Sequence, residues 1–249
     1  MSWLTAALRS SVGKKFVMGI TGLFLCVFLL IHLAGNLVML AGEQAYNDYA
    51  HALHANPPLL ITAEVFLYLG FLAHIYLAIA TARENWAARE QRYAMSQSKQ
   101  DATVRVGTLT PSTTMFATGT VIFGYLILHL SDFKFGLTGA AQEGLEPFDK
   151  AKAILSDGLR VIAYVIGALF VGVHVSHGLA SACQSLGFNH PKYNHCIRWV
   201  SRIFAIAIAA GFIGITLWLF GGAKPLPGSR SSAAPPASAT SPVSAAPLH

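Results

Sequence analysis

Five stretches of this chain, near residues 16–40, 59–82, 112–131, 159–183 and 199–221, are apolar over about 20 residues or more. That is the length a helix needs to cross a bilayer core about 30 Å thick. The first follows Lys14 and Lys15, as a secretory signal would, but it outruns the 7–15 apolar residues of a typical signal. The expected fold is therefore an all-α membrane protein with five transmembrane helices. Composition agrees: 54% of the 249 residues are hydrophobic and 11% charged, against roughly 25% charged in soluble domains.

A formal charge of +6 raises the question of a nucleic-acid partner, but most basic residues flank the apolar runs. That placement sets topology and gives no DNA-binding face. With the N-terminus inside, the cytoplasmic segments hold 11 of the Lys and Arg residues and the outer segments 6. The expected topology is N-terminus in, C-terminus out. Residues 1–222 read as one five-helix domain, and 223–249 as a Pro/Ala/Ser-rich external tail too poor in apolar surface to fold. Residues 84–105 read as a polar cytoplasmic connection, and the outer loop 132–158, with Asp132, Glu143, Glu146 and Asp149, has room for a short interfacial helix. Cys26, Cys183 and Cys196 form neither C-x-x-C nor C-x-x-C-H, so neither a zinc ribbon nor covalently attached haem is signalled.

The informative residues are histidines inside the apolar runs. "TGLFLCVFLLIH" (21–32) aligns without gaps on "TGTVIFGYLILH" (118–129), each reading T-G, nine residues, H. "HIYLAIATA" (74–82) aligns on "HVSHGLASA" (174–182). The second register pairs His74 with His174, leaves His177 over, and puts Ala78 and Gly178 four residues after each ligand candidate on the same face. A small residue there leaves room for a flat macrocycle, though it also serves close helix packing.

At 1.5 Å per residue, His32 and His129 lie about 24–26 Å from the inner ends of their helices, and His74 and His174 roughly 22 Å from the outer ends of theirs. Four imidazoles thus fall into an outer pair and an inner pair. Two bis-histidine haems b need that arrangement, since neutral imidazole is a strong axial ligand and haem b needs no covalent link. The expected architecture is a bundle of the first four helices around two stacked haems. His177 is about 60° around the helix from His174, a candidate contact for a haem propionate or for a neighbouring helix.

The runs "SSVGKKFVMGITGLFLCVFLLIHLAGN", "AEVFLYLGFLAHIYLA", "LHLSDFKF" and "HVSHGL" together resemble the dihaem cytochrome b membrane-anchor subunit of succinate:quinone oxidoreductases, the succinate dehydrogenase and fumarate reductase family. The resemblance spans residues 10 to about 222. It implies two haems b, with His32 and His129 on the outer one and His74 and His174 on the inner. It also implies a site for quinone, usually menaquinone, and a flavoprotein and an iron–sulfur protein as cytoplasmic partners at a bacterial inner membrane. In such an assembly the succinate chemistry belongs to the flavoprotein. One position departs: some fumarate reductases of this type have glutamate two residues before the fourth ligand, where this chain has Gly172.

Glu64 is the one acid inside a predicted span, about 7–8 Å below the outer end of its helix. An acid at that depth can exchange protons with a quinone or simply reach the interface. His51 and His54, in the expected outer loop "YNDYAHALHANPP", are candidate proton relays, and Arg83, Arg89, Arg92 and Lys192 are candidate docking contacts that topology alone also explains. The competing readings are a dihaem cytochrome b serving a hydrogenase or formate dehydrogenase, and a non-redox proton or metal pathway, which lacks the carboxylate or cysteine companions such sites commonly use.

Overall fold

A computed structural model describes residues 6–7, 10–87, 111–137 and 144–222. The expected tail, most of the 84–105 connection with Arg89, Arg92, Lys99 and Arg105, and Glu143 lie outside the described residues. Among those described there are seven α-helices and no strand: α1 (Ser11–Leu37), α2 (Glu43–His54), α3 (Pro57–Ala87), α4 (Pro111–Phe133), α5 (Pro147–Ile154), α6 (Gly158–Ser185) and α7 (Pro191–Phe220). Five of them, α1, α3, α4, α6 and α7, are long and apolar enough to cross a membrane.

The long helices overrun the apolar windows because capping, not hydropathy, ends a helix. Ser10 Oγ accepts from the Gly13 amide at 3.0 Å and starts α1. α7 begins eight residues ahead of its apolar window, where Pro191 opens the first turn and the His190 side chain accepts from the Lys192 amide. Around the bundle, Ile31, Phe66, Tyr76 and Ile206 are each more than 60% exposed. Apolar surface that extensive suits lipid, not water.

α6 is the hub, packing on α1, α4 and most extensively α7. At Gly172 a Cβ would come within 2.9 Å of the Ala209 side chain, so the small residue lets α6 and α7 approach closely. That packing explains why no larger residue, glutamate included, sits there. α3 contacts chiefly α1 and has no fully buried residue. Ion pairs pin it at both ends, Lys14 with Glu84 and Lys134 with Glu64.

The expected outer loop around "YNDYAHALH" is instead helix α2. Its mean composition is polar, but Asn47 and Ala50 form a buried stripe. Opposite it, the short helix expected within 132–158 is α5, which buries Phe148, Ala151 and Ile154. Asn47 Oδ1 accepts from the buried Phe148 amide at 2.9 Å and staples α2 to α5 as a cap over one end of the bundle. Asn47→Ala would leave that amide unsatisfied. We expect a loss of about 1–3 kcal/mol in thermal unfolding followed by circular dichroism; an unchanged transition would mean that apolar contacts alone hold the cap.

Candidate functional site

A cavity of about 1610 Å³ runs through the bundle, beyond the ~300–1,000 Å³ of an ordinary ligand site. On α3, residues 64, 67, 68, 71, 74, 75, 78, 81, 82 and 85 line it, with Leu72 and Trp86 beside them. That 3–4 spacing is one continuous helix face, extending about 32 Å. α3 is unburied because its inward face borders space instead of side chains. α1, α4 and α6 complete the wall, and the α2–α5 cap closes over the end near Glu64, here the far end. The other, the amino end, holds Lys15. The bundle expected from the first four spans needs one amendment: Phe212, Ile215, Thr216 and Leu219 of α7 also line the cavity at its far end.

All four repeat-selected histidines face this cavity. His32 and His129 have ring centroids 5.8 Å apart with planes at 86°. His74 and His174 are 6.5 Å apart at 74°. The pairing is therefore α1 with α4 and α3 with α6. Metal–imidazole bonds of about 2 Å, plus about 1 Å to each ring centre, put two imidazoles on opposite faces of one metal ion at roughly 6 Å between centroids. Both pairs meet that spacing. No group of three or more His, Cys, Asp or Glu converges among the described residues. Two imidazoles at that spacing suit a group that would bring its remaining donors itself, as a haem does, and do not complete a protein-only tetrahedral site.

The residue types around the pairs fit haem in other ways. Ala78 and Gly178 line the cavity, and a Cβ added at Gly178 would meet only Met115, at 3.6 Å. His129 Nδ1 is buried with no hydrogen-bond partner among the described residues, which argues against a histidine kept for a polar packing contact. Aromatic rings crowd the far-end pair: Phe28 stacks on His32 at 5.2 Å, and Phe133 and Tyr164 lie 5.1 and 6.0 Å from His129. Toward the amino end, Thr81, Ser181, Asn85 and Lys15 bring polar groups to the wall.

The amino-end histidines carry support that no sequence pattern had assigned. Thr21 Oγ1 lies 3.2 Å from His74 Nδ1, and Thr118 Oγ1 lies 3.0 Å from His174 Nδ1. These are the threonines of the two T-G pairs that mark the repeat. Eleven residues separate each from the far-end ligand on its own helix, so the two histidine levels are about 16 Å apart along the bundle.

His177 is not on the cavity wall. Its 60° offset turns it from the side His174 faces. Of the two roles open to it, the contact with a neighbouring helix is the one this position favours. Glu64 lines the far-end wall paired with Lys134, which also lines it. His54 is on the same wall, with Nδ1 2.7 Å from the Ala50 carbonyl. A carbonyl only accepts, so Nδ1 holds the proton and Nε2 is left as the base. His51 is off the wall, 2.9 Å from Glu146. Tyr46, in the cap, has its hydroxyl pushed up from the ordinary phenol range by burial, with Tyr49 beside it, so it stays protonated at neutral pH. Arg83 and Lys192 are exposed beyond the amino end.

Sequence reasoning also missed the partner network of Asp132. This fully buried carboxylate accepts from Arg160 Nε at 3.2 Å and from the Tyr164 hydroxyl at 3.0 Å. An acid three residues after a helix's histidine is a weak signal, and its partners are 28 and 32 residues away. Comparison with protein-family models, curated proteins and solved structures gave no match.

Proposed function

We propose that this chain is the membrane-anchor, haem- and quinone-binding subunit of a succinate:quinone oxidoreductase, of the succinate dehydrogenase or fumarate reductase kind. The observation that carries the reading is the pair of facing imidazole pairs, each at the spacing of one shared metal ion, at two levels of one continuous cavity. His32 and His129 hold one haem b, and His74 and His174 the other. When bound, these haems supply one-electron transfer between quinone and an iron–sulfur partner.

The chain's own residues orient and insulate. The helices fix the imidazoles in place, and the aromatic wall around His32 and His129 excludes water and lowers the local dielectric. Glu64, held by Lys134 at the far end, exchanges protons with a quinone in that part of the cavity. His54, with Nε2 free, is the next proton acceptor along the wall. In this reading the amino end faces the bacterial cytoplasm, the C-terminus lies outside, and Arg83 and Lys192 stand on the side where the iron–sulfur and flavoprotein subunits dock. Menaquinone is the expected quinone.

The test is a dithionite-reduced minus oxidised spectrum of the purified protein, followed by identification of co-purifying subunits and an assay of succinate:quinone activity. We expect b-type bands and a flavoprotein–iron–sulfur pair with that activity. The same bands with hydrogenase or formate dehydrogenase subunits would assign the wire to another enzyme. Folded, colourless protein made with haem available would overturn the reading.

A further inference from the structure

We propose that Thr21 and Thr118 are positioning residues that hold His74 and His174 in one tautomer and ring orientation, and so set the reduction potential of the amino-end haem separately from the far-end one. This rests on the haem reading above. Each threonine hydroxyl has its single proton directed at its own helix: Thr21 Oγ1 is 3.1 Å from the carbonyls of Val17 and Met18, and Thr118 Oγ1 is 2.9 and 3.1 Å from those of Thr114 and Met115. What remains toward the imidazole is a lone pair. The histidine must then donate, so Nδ1 bears the proton and Nε2 is the free ligand atom.

The glycine after each threonine completes the device. A Cβ at Gly22 would sit 3.4 Å from His74 Cε1, and one at Gly119 would sit 3.4 Å from His174 Cε1. An alanine methyl would just touch the ring, and a side chain reaching beyond Cβ would crowd the imidazole that the threonine orients. T-G at both repeats is thus a two-residue seat for the ligand of the neighbouring helix, while the histidine eleven residues on serves the other level. Among the described residues the far-end pair has no such seat: His32 rests against Phe28 and Phe212, and His129 Nδ1 has no hydrogen-bond partner.

An acceptor on Nδ1–H makes the imidazole a stronger donor and favours the oxidised, more positive iron. Removing the acceptor weakens that preference, so the potential rises. The experiment is a potentiometric titration of the purified full-length protein with its haems, comparing Thr21→Val and Thr118→Val with the parent. Thr120→Val serves as control, since its hydroxyl bonds only the Phe116 carbonyl on an exposed face. We expect one of the two haem midpoints to rise with each valine variant, by about a tenfold change in the oxidised-to-reduced ratio, or about 59 mV for one electron. The other midpoint should stay put, and Thr120→Val should move neither.

Two haems with unmoved midpoints would overturn the seat and leave the haem reading standing. Equal movement of both midpoints would overturn its confinement to one level. If a valine variant fails to retain haem, the serine variants decide, because they keep the hydroxyl: haem kept by Thr21→Ser and Thr118→Ser supports the hydrogen bond, and haem lost with serine too overturns it. A parent protein with no haem overturns both this inference and the reading beneath it.

Discussion

His174→Ala is expected to lower the haem content of the purified protein from about two per chain to about one, while His177→Ala leaves it unchanged. The two imidazoles are three residues apart on α6, and the structure separates them sharply. His174 lines the cavity, faces His74 at 6.5 Å and is seated by Thr118. His177 is off the wall. In the haem reading, losing one imidazole leaves the amino-end site with a single nitrogen donor and the far-end pair intact. Pyridine haemochrome per chain reads the difference, and His74→Ala should match His174→Ala. Haem loss with His177→Ala, or retention of both haems in His174→Ala, would break the pairing.

That pairing was legible in the sequence because a gapless repeat records which helices are equivalent, and rise per residue converts position into depth. His32 with His129 and His74 with His174 therefore needed no knowledge of tertiary contacts. The threonine seats were different. Thr21 and Thr118 stood out only as markers of the repeat, since their partners are 53 and 56 residues away and one sequence does not tell which faces meet. Glu64 stood out as the one acid inside a predicted span, but its partner Lys134 lies 70 residues on. α2 escaped notice for another reason. Its helical form depends on docking a narrow stripe around Asn47 against α5, and a polar segment with one buried stripe reads as a loop when that partner is unseen.

Asp132→Leu should be the most destabilising of the single substitutions considered, by about 3–5 kcal/mol, because it removes the fully buried side of an ion pair and leaves Arg160 with a half-exposed partner alone. Asp132 is fully buried and Arg160 only 21% exposed, so water cannot readily replace the lost carboxylate. Arg160 would keep the half-exposed Asp157, at 3.3 Å, and the Tyr164 hydroxyl would lose the acceptor 3.0 Å away. In a chain of this size the deficit corresponds to a fall in melting temperature on the order of 10 °C, measurable by circular dichroism in detergent. Replacing both charges, Asp132→Leu with Arg160→Met, should recover much of the loss, since it is the unpaired charge that is costly. A double variant less stable than Asp132→Leu alone would show that the arginine has a more important partner than Asp132. The network also bears on the site. The Tyr164 ring lies 6.0 Å from His129 and 5.4 Å from Tyr125, so the carboxylate that fixes its hydroxyl also fixes one wall of the far-end pair. In the haem reading, Asp132→Leu should therefore disturb the far-end haem, and the amino-end haem, about 16 Å away beside Thr21 and Thr118, should keep its midpoint.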